Sequence, residues 1–243
     1  MSYEPKFLSA GDRGLTVELG DSVNEATNAK VVALDNALSA QAIPGVVEMV
    51  PTYRSLLIMF DPLLISKEAL RQRVLSCWPP DAAAASRYRR WTIPVLYGGE
   101  AGEDLEYVAS VHGLSADEVV RLHAGAEYRV YMIGFAPGFA YLGGLPERIH
   151  TSRRLEPRMR TPASSISIGG EQAAVWPPIE IPSGWHLLGR TPVKTYDPLR
   201  REPFLLAAGD RVVFAPISAQ EFTTLSAAAD GGDPVATAEM VDA

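Results

Sequence analysis

The chain of 243 residues carries 22 Lys and Arg against 29 Asp and Glu, a formal net charge of −7, with 47% hydrophobic and 21% charged residues. That is the composition of a globular protein long enough to bury a sizeable core, and its acidic balance excludes non-specific nucleic-acid binding as the main task. The single cysteine, Cys77, excludes an internal disulfide framework and a multi-cysteine metal site. The start MSYEPKFLSAGDRG lacks the basic and apolar regions of a signal peptide, and no apolar stretch approaches the roughly 20 residues of a membrane span. A cytoplasmic protein that engages neither membrane nor nucleic acid is therefore expected.

In chain order, residues 5–20 predict one or two strands around a turn at Gly11–Gly14, with Leu15, Val17 and Leu19 alternating. The spacing of Val31, Leu34 and Leu38 predicts a helix over 24–41, ended by Pro44–Gly45. VVEMV (46–50) and SLLIMF (55–60) predict a strand pair. Ser66 caps a helix to about Cys77, which Pro79–Pro80 stops. Another strand starts at Tyr88. This order is the split βαβ pattern of ferredoxin-like folds, so residues 1–90 are expected to form a small α+β domain, with AAAAS (82–86) as a linker or frayed helix end.

Beyond Gly98–Gly99 two short helices are predicted, at 103–112 and 116–124, the second opened by a Ser115/Glu118 capping box. EYRVYMI (127–133) alternates as a strand. After it come only short candidates: SISI, QAAVW, WHLL, VKTY, FLLA and RVVFA, with hairpin turns at Gly169–Gly170 and Gly209–Asp210. Short strands with regular turn signals predict a β-barrel or sandwich over 91–228. Residues 217–227 predict a helix, and the small, polar residues 229–243 a flexible tail.

The chemistry concentrates between Ile133 and Thr191, where glycine and proline recur among Phe135, Phe139, Tyr141, Trp176 and Trp185. Turn residues set between large apolar anchors describe a rigid surface of loops, the usual seat of binding and catalysis. Arg153, Arg154, Arg158 and Arg160 cluster there too. They read either as a solvated face with loop-capping guanidinium groups or as a site for a small anionic ligand. There is no Gly-x-x-x-x-Gly-Lys phosphate loop, no His-Glu-x-x-His and no nucleophile elbow. The four histidines show no metal-ligand spacing, and Cys77, late in an apolar helix, reads as packing. His123, Glu127 and Arg158 are the candidate catalytic residues: a histidine leading into the motif, a carboxylate entering it and a guanidinium within it.

GFAPGFAYLGGLPE, RRLEPRMRTPA, SIGGEQ, PSGWHLLGRTP and the following YDP resemble the signature of one bacterial family. It comprises the B subunits of 5-oxoprolinase, also called allophanate hydrolase subunit 1, and the Kip inhibitor of a sporulation histidine kinase. The likeness runs from about residue 5 to 217. It implies an α+β chain with a ferredoxin-like N-terminal domain followed by a cyclophilin-like β-barrel. It also implies two partners, a C-type carboxyltransferase subunit and one of A type. The complex is expected to cleave 5-oxoproline to glutamate with ATP, and the chain to be inactive alone. The alternatives the resemblance leaves are a regulator of a sensor histidine kinase and a component of an allophanate hydrolase or urea carboxylase-like enzyme.

On the matching motifs, Phe135, Pro137, Gly138, Phe139, Tyr141, Arg153, Arg158, Pro162, Gly169, Gly170, Gln172, Gly184, Trp185, Gly189, Arg190 and Thr191 are the candidates for substrate binding or a subunit interface. Three places depart from the family pattern. Ser164 stands in Pro-Ala-Gly-Ser, Ala173–Ala174 in Gln-Thr-Gly, and Ser183 in Pro-Gly-Gly-Trp.

Overall fold

The computed structural model describes residues 4–22, 24–80 and 87–242, so the AAAAS segment lies outside the described residues. Contacts divide the chain into one unit ending at Tyr88 and a second running from Arg89 to Val241.

In the first unit, β1 (Lys6–Ser9), β2 (Gly14–Glu18), β3 (Val46–Pro51) and β4 (Ser55–Phe60) form an antiparallel sheet in the order β1-β2-β4-β3. Alternation places Leu15 and Val17 of β2 and Leu56, Ile58 and Phe60 of β4 in one core. The helices α1 (Glu25–Ser39) and α2 (Lys67–Ser76) add Val31, Leu34 and Leu38, and Leu70 and Val74. Asn24 caps α1 by accepting from the Thr27 N–H at 2.8 Å, and Ser66 caps α2 by accepting from Ala69 at 3.1 Å.

The split βαβ arrangement forms with one change. The strand after α2 does not return to this sheet. The edge beside β2 is filled instead by β1, which the tight turn at Gly11 (φ 66°) folds back antiparallel. A hairpin supplies an antiparallel edge neighbour at less loop-closure cost than a chain returning from α2.

Burial raises the Asp35 carboxyl on α1 from its ordinary value to about 6. A carboxyl so raised holds a proton in the folded state between about pH 4 and 6 that the unfolded chain releases, so stability falls as pH rises through that window. Asp35→Asn is expected to stabilise the fold at pH 7.5 by on the order of 1 kcal/mol, allowing for solvent screening of a half-buried group, and to change little near pH 4. Urea unfolding at both pH values checks this; equal effects at the two would refute it.

In the second unit, β5 (Arg87–Tyr97), β6 (Glu127–Ile133), β7 (Ala140–Gly143), β9 (Ser165–Gly169), β10 (Gln172–Val175), β12 (His186–Arg190) and β13 (Arg211–Pro216) close a seven-stranded barrel, ordered β5-β12-β9-β10-β7-β6-β13 and back to β5. Only the β13–β5 pair is parallel. β8 (Arg158–Thr161) and β11 (Ile181–Ser183) form a separate ribbon. Closure turns on Gly189, where a Cβ would stand 2.5 Å from the Leu96 carbonyl oxygen. The interior holds Ile93, Val95, Tyr128, Val130, Leu142, Ile166, Ile168, Val175, Leu188 and Val212, among others. The helices α3 (Leu105–His112) and α4 (Ala116–Ala124) pack on this core, α4 opened by the Ser115/Glu118 capping box.

Two expectations fail here. VKTY and FLLA do not become strands; they meet in a single bridge, Tyr196 to Phe204. Prolines 192, 198 and 203 surround them and cannot donate to a ladder. The tail expected to be flexible contains the end of α5 (Ala219–Asp230) and β14 (Thr237–Asp242), the latter beside β5. β12 reaches β5 only at Leu96 and Tyr97, which leaves the earlier part of that edge open to another strand. The Arg90 guanidinium also binds the Glu239 carboxylate.

Candidate functional site

The outward residues of three adjoining strands build the site. On β9, Ile166 and Ile168 point into the barrel, while Ser165, Ser167 and Gly169 face out yet are buried. On β10, Ala173 and Val175 point in and Ala174 out; on β7, Ala140 and Leu142 point in and Tyr141 out. Over this wall lie Phe139, Trp176 and Trp185, a second apolar cluster outside the barrel. The Trp176 indole donates to the Ser167 hydroxyl at 2.6 Å, which satisfies both polar groups in the buried wall. Gly169 is required by packing: a Cβ there would stand 2.9 Å from the Trp185 indole.

Phe139 meets Trp176 and Trp185 edge to face and Tyr141 at a tilt. Phe139 lies 5.0 Å from Trp176, 6.1 Å from Trp185 and 4.6 Å from Tyr141, centroid to centroid. The turn Ala136–Phe139, closed by Phe139 N–H donating to the Ala136 carbonyl, presents Phe139 to the cluster. Gly138 (φ 82°) sits where a Cβ would meet Tyr196 at 2.7 Å. Phe135, also at positive φ (70°), is 68% exposed, whereas Phe139 is 2% and Trp185 6% exposed. Between these rings, Arg153, Pro157 and the Pro182–Gly184 turn lies a cleft of about 320 Å³.

The arginines divide. Arg158 donates to the Asp104 carboxylate at 2.7 Å and to the Trp185 carbonyl at 3.4 Å, and pairs with Glu103 at 3.5 Å. Arg154 reaches the same Asp104 oxygen at 3.1 Å, and the other accepts from the Leu187 N–H at 2.7 Å. Asp104 is 4% exposed. Burial pushes its carboxyl up, but the Arg158 and Leu187 hydrogen bonds and the two guanidinium charges outweigh that, so its pKa is lowered. Arg153 instead lies over the Trp185 ring, 5.1 Å from its centroid. Arg190 lies at the other end of β12 from His186, about 13 Å along the strand, and donates to the Ala163 carbonyl at 3.1 Å.

Around Arg190 sit Pro162, Ser164 and Thr191. The Ser165 hydroxyl donates to the Pro162 carbonyl, Thr191 N–H to that of Ser164, and Ser164 holds a left-handed φ of 57°. A serine thus occupies the left-handed conformation at the position where the family pattern has glycine. Gly170 (φ 66°) completes the β9–β10 hairpin, with Gln172 opening β10. The Ser183 hydroxyl accepts from the Trp185 N–H at 3.0 Å, so this departure from glycine adds a brace beside the cleft. Pro137 is exposed in the turn before Gly138.

His123 and Glu127 do not line the cleft. His123 is fully buried in the unit's core against Phe214, 2.8 Å from the Tyr97 hydroxyl through Nδ1; burial lowers its pKa to about 3, so the ring is neutral. Glu127 pairs with Arg90 at 3.6 Å and Arg211 at 3.8 Å. Asp104 is the residue that sequence reasoning misses: a lone aspartate before a helix reads as a helix start, and its arginine partners lie 50 and 54 residues onward. Among the described residues, no group of three or more His, Cys, Asp or Glu side chains is placed to hold a metal ion, and no helix is long and apolar enough to cross a membrane.

Comparison with known proteins gives concordant results. A family model described as carboxyltransferase domain, subdomain C and D, matches residues 5–206. The 5-oxoprolinase B subunit of Bacillus subtilis (strain 168) is 39% identical over 233 residues, covering 91% of this chain and 97% of that protein. The 5-oxoprolinase B subunit of Escherichia coli O157:H7 is 41% identical over 207 residues, 85% of this chain and 93% of that one. The crystal structure of TTHA0988 in space group P212121 superposes with a TM-score of 0.77 at 38% identity, covering 85% of this chain. This chain spans only 40% of the length of TTHA0988.

Proposed function

Because the chain belongs to the carboxyltransferase domain family, subdomains C and D, we propose that it is the B component of a multi-subunit 5-oxoprolinase. The assembly opens the lactam of 5-oxoproline to glutamate at the expense of ATP. The observation that carries this reading is the identity with two proteins named as 5-oxoprolinase B subunits over nearly their whole length. A lactam amide resists water at neutral pH, so ring opening requires the carbonyl to be activated and the developing charge to be stabilised.

The cleft supports a share of that task. Among the described residues its lining offers aromatic side chains, one of them a tyrosine, and arginines, but no histidine or carboxylate side chain. A wall of this kind binds and orients a ligand, and the proton-transfer groups of the reaction then come from a partner. TTHA0988 supports a partner too: its chain continues well beyond the part this chain matches. The proposed partners are a C-type carboxyltransferase subunit and one of A type. The cleft does not fit a triphosphate. Arg154 is engaged with Asp104, which among the described residues of the cleft leaves one guanidinium without an ion pair against several phosphate charges, so no step is assigned to ATP on this chain. A cytoplasmic assembly, with access to ATP, is part of the same proposal.

Mixing the purified chain with C-type and A-type subunits and measuring glutamate release from 5-oxoproline tests the proposal. The expected result is ATP-dependent release by the three together and none by this chain alone. ATP-coupled ring opening by the single chain would contradict the division of labour; no release by the full mixture would contradict the activity.

A further inference from the structure

We propose, resting on the reading above, that the outer-wall cleft is the subsite for a small planar lactam acid. Arg153 pairs with its single carboxylate, and Tyr141 lies beside the ring. Charge placement carries the inference. Of the arginines lining the cleft, Arg154 is neutralised by Asp104. Among the described residues Arg153 makes no hydrogen bond or ion pair; it lies over the face of Trp185, and its charge acts on the Tyr141 phenol. Its donors are thus held at the cleft by a ring that takes none of them, leaving the guanidinium fork open to a carboxylate.

The rest of the lining fits the remainder of such a ligand. Phe139, Trp176 and Trp185 are nearly or fully buried and fixed by one another, so the backing behind Arg153 and Tyr141 is rigid before a ligand arrives and little entropy is lost on binding. Burial raises the Tyr141 phenol more than the Arg153 charge lowers it, so Tyr141 stays protonated and adds no second negative charge beside a bound carboxylate. A volume of about 320 Å³ stands at the small end of the roughly 300–1,000 Å³ typical of ligand clefts. One free cation matches a monoanion and leaves a phosphate dianion undercompensated.

The test compares 5-oxoproline with 2-pyrrolidinone, which keeps the ring and lacks the carboxylate. Titrations use the full chain, and kinetics the assembled complex. Arg153→Ala is expected to weaken 5-oxoproline binding and raise its KM by about tenfold to a hundredfold, with kcat nearly unchanged and 2-pyrrolidinone binding unaffected. Arg153→Lys restores part of the loss, because an ammonium keeps the charge without the fork. An unchanged KM in an Arg153→Ala complex that turns over overturns the subsite and leaves the proposed activity standing. Equal losses for both ligands also overturn it, since the carboxylate is then not what Arg153 reads. If the wild-type complex does not cleave 5-oxoproline but the chain still discriminates the two lactams through Arg153, the activity fails and the subsite stands. If the isolated chain binds neither lactam, the KM of the complex decides.

Discussion

Asp104→Ala is expected to destabilise the barrel unit by about 3–5 kcal/mol, because removing one partner of a buried ion pair strands the others. Asp104 lies between Arg158, whose side chain is 15% accessible, and Arg154, and also accepts from the Leu187 N–H. Without it, the Leu187 amide loses its acceptor and Arg158 keeps only the longer contacts to Glu103 and the Trp185 carbonyl. Asp104→Asn keeps an oxygen for Leu187 and is expected to recover part of the loss. The lowered pKa of Asp104 adds a pH signature. Its contribution is fully present above the unfolded carboxylate value, about 4, and is lost as pH falls through the lower folded value. The variants should therefore lose less stability than the wild type on acidification. Urea unfolding between pH 3 and 7 measures this, and a loss below about 1 kcal/mol at pH 7 for Asp104→Ala would show that the pair behaves like a surface salt bridge. The expected functional consequence is indirect: Arg154 and Arg158 hold the 153–158 segment that carries Arg153 to the cleft.

What was legible in the sequence was what local spacing encodes. Ile166 and Ile168 alternate with serines, and Gly169–Gly170 marks the hairpin, so β9 and β10 could be read directly. The serines look like an exposed face, yet they are buried beneath Trp176, because the second layer comes from residues distant in the chain. Val193 and Leu206 read as strand residues and are buried as such residues are, but the prolines between them prevent a ladder. Thr237–Asp242 reads as a tail because its composition is small and polar; it is a strand because main-chain pairing with a sheet edge needs no particular side chain. The ring of candidate residues was found as a stretch, but its division was not visible. Trp185 and Arg190 are five residues apart and stand at opposite ends of one strand pair, so the motif feeds two places rather than one cavity.

The aromatics divide in a way that also fixes the second large effect. Phe139 and Trp185 are cluster residues, whereas Phe135 presents 68% of its surface to solvent and holds φ at 70°. A bulky residue in that conformation costs about 1–2 kcal/mol, and an edge contact to Phe139 at 5.7 Å is small compensation. A strained backbone that displays a large ring at the mouth of a cleft is expected where the ring docks on a partner, since exposed aromatics dominate binding hot spots. Under the proposed assembly, Phe135→Ala is expected to weaken docking of the C-type partner by about 2 kcal/mol or more, roughly thirtyfold in Kd, with little change in the stability of the isolated chain. Phe135→Gly separates strain from contact. Glycine takes positive φ freely, so this variant should be as stable as the wild type or up to about 1 kcal/mol more stable, yet bind the partner as poorly as the alanine variant. Calorimetric titration of the two proteins, alongside thermal unfolding of each variant, reads both quantities. Wild-type affinity in Phe135→Gly would place the docking surface elsewhere on the barrel. Lost stability in the same variant would mean that the ring packs against this chain more than its exposure indicates.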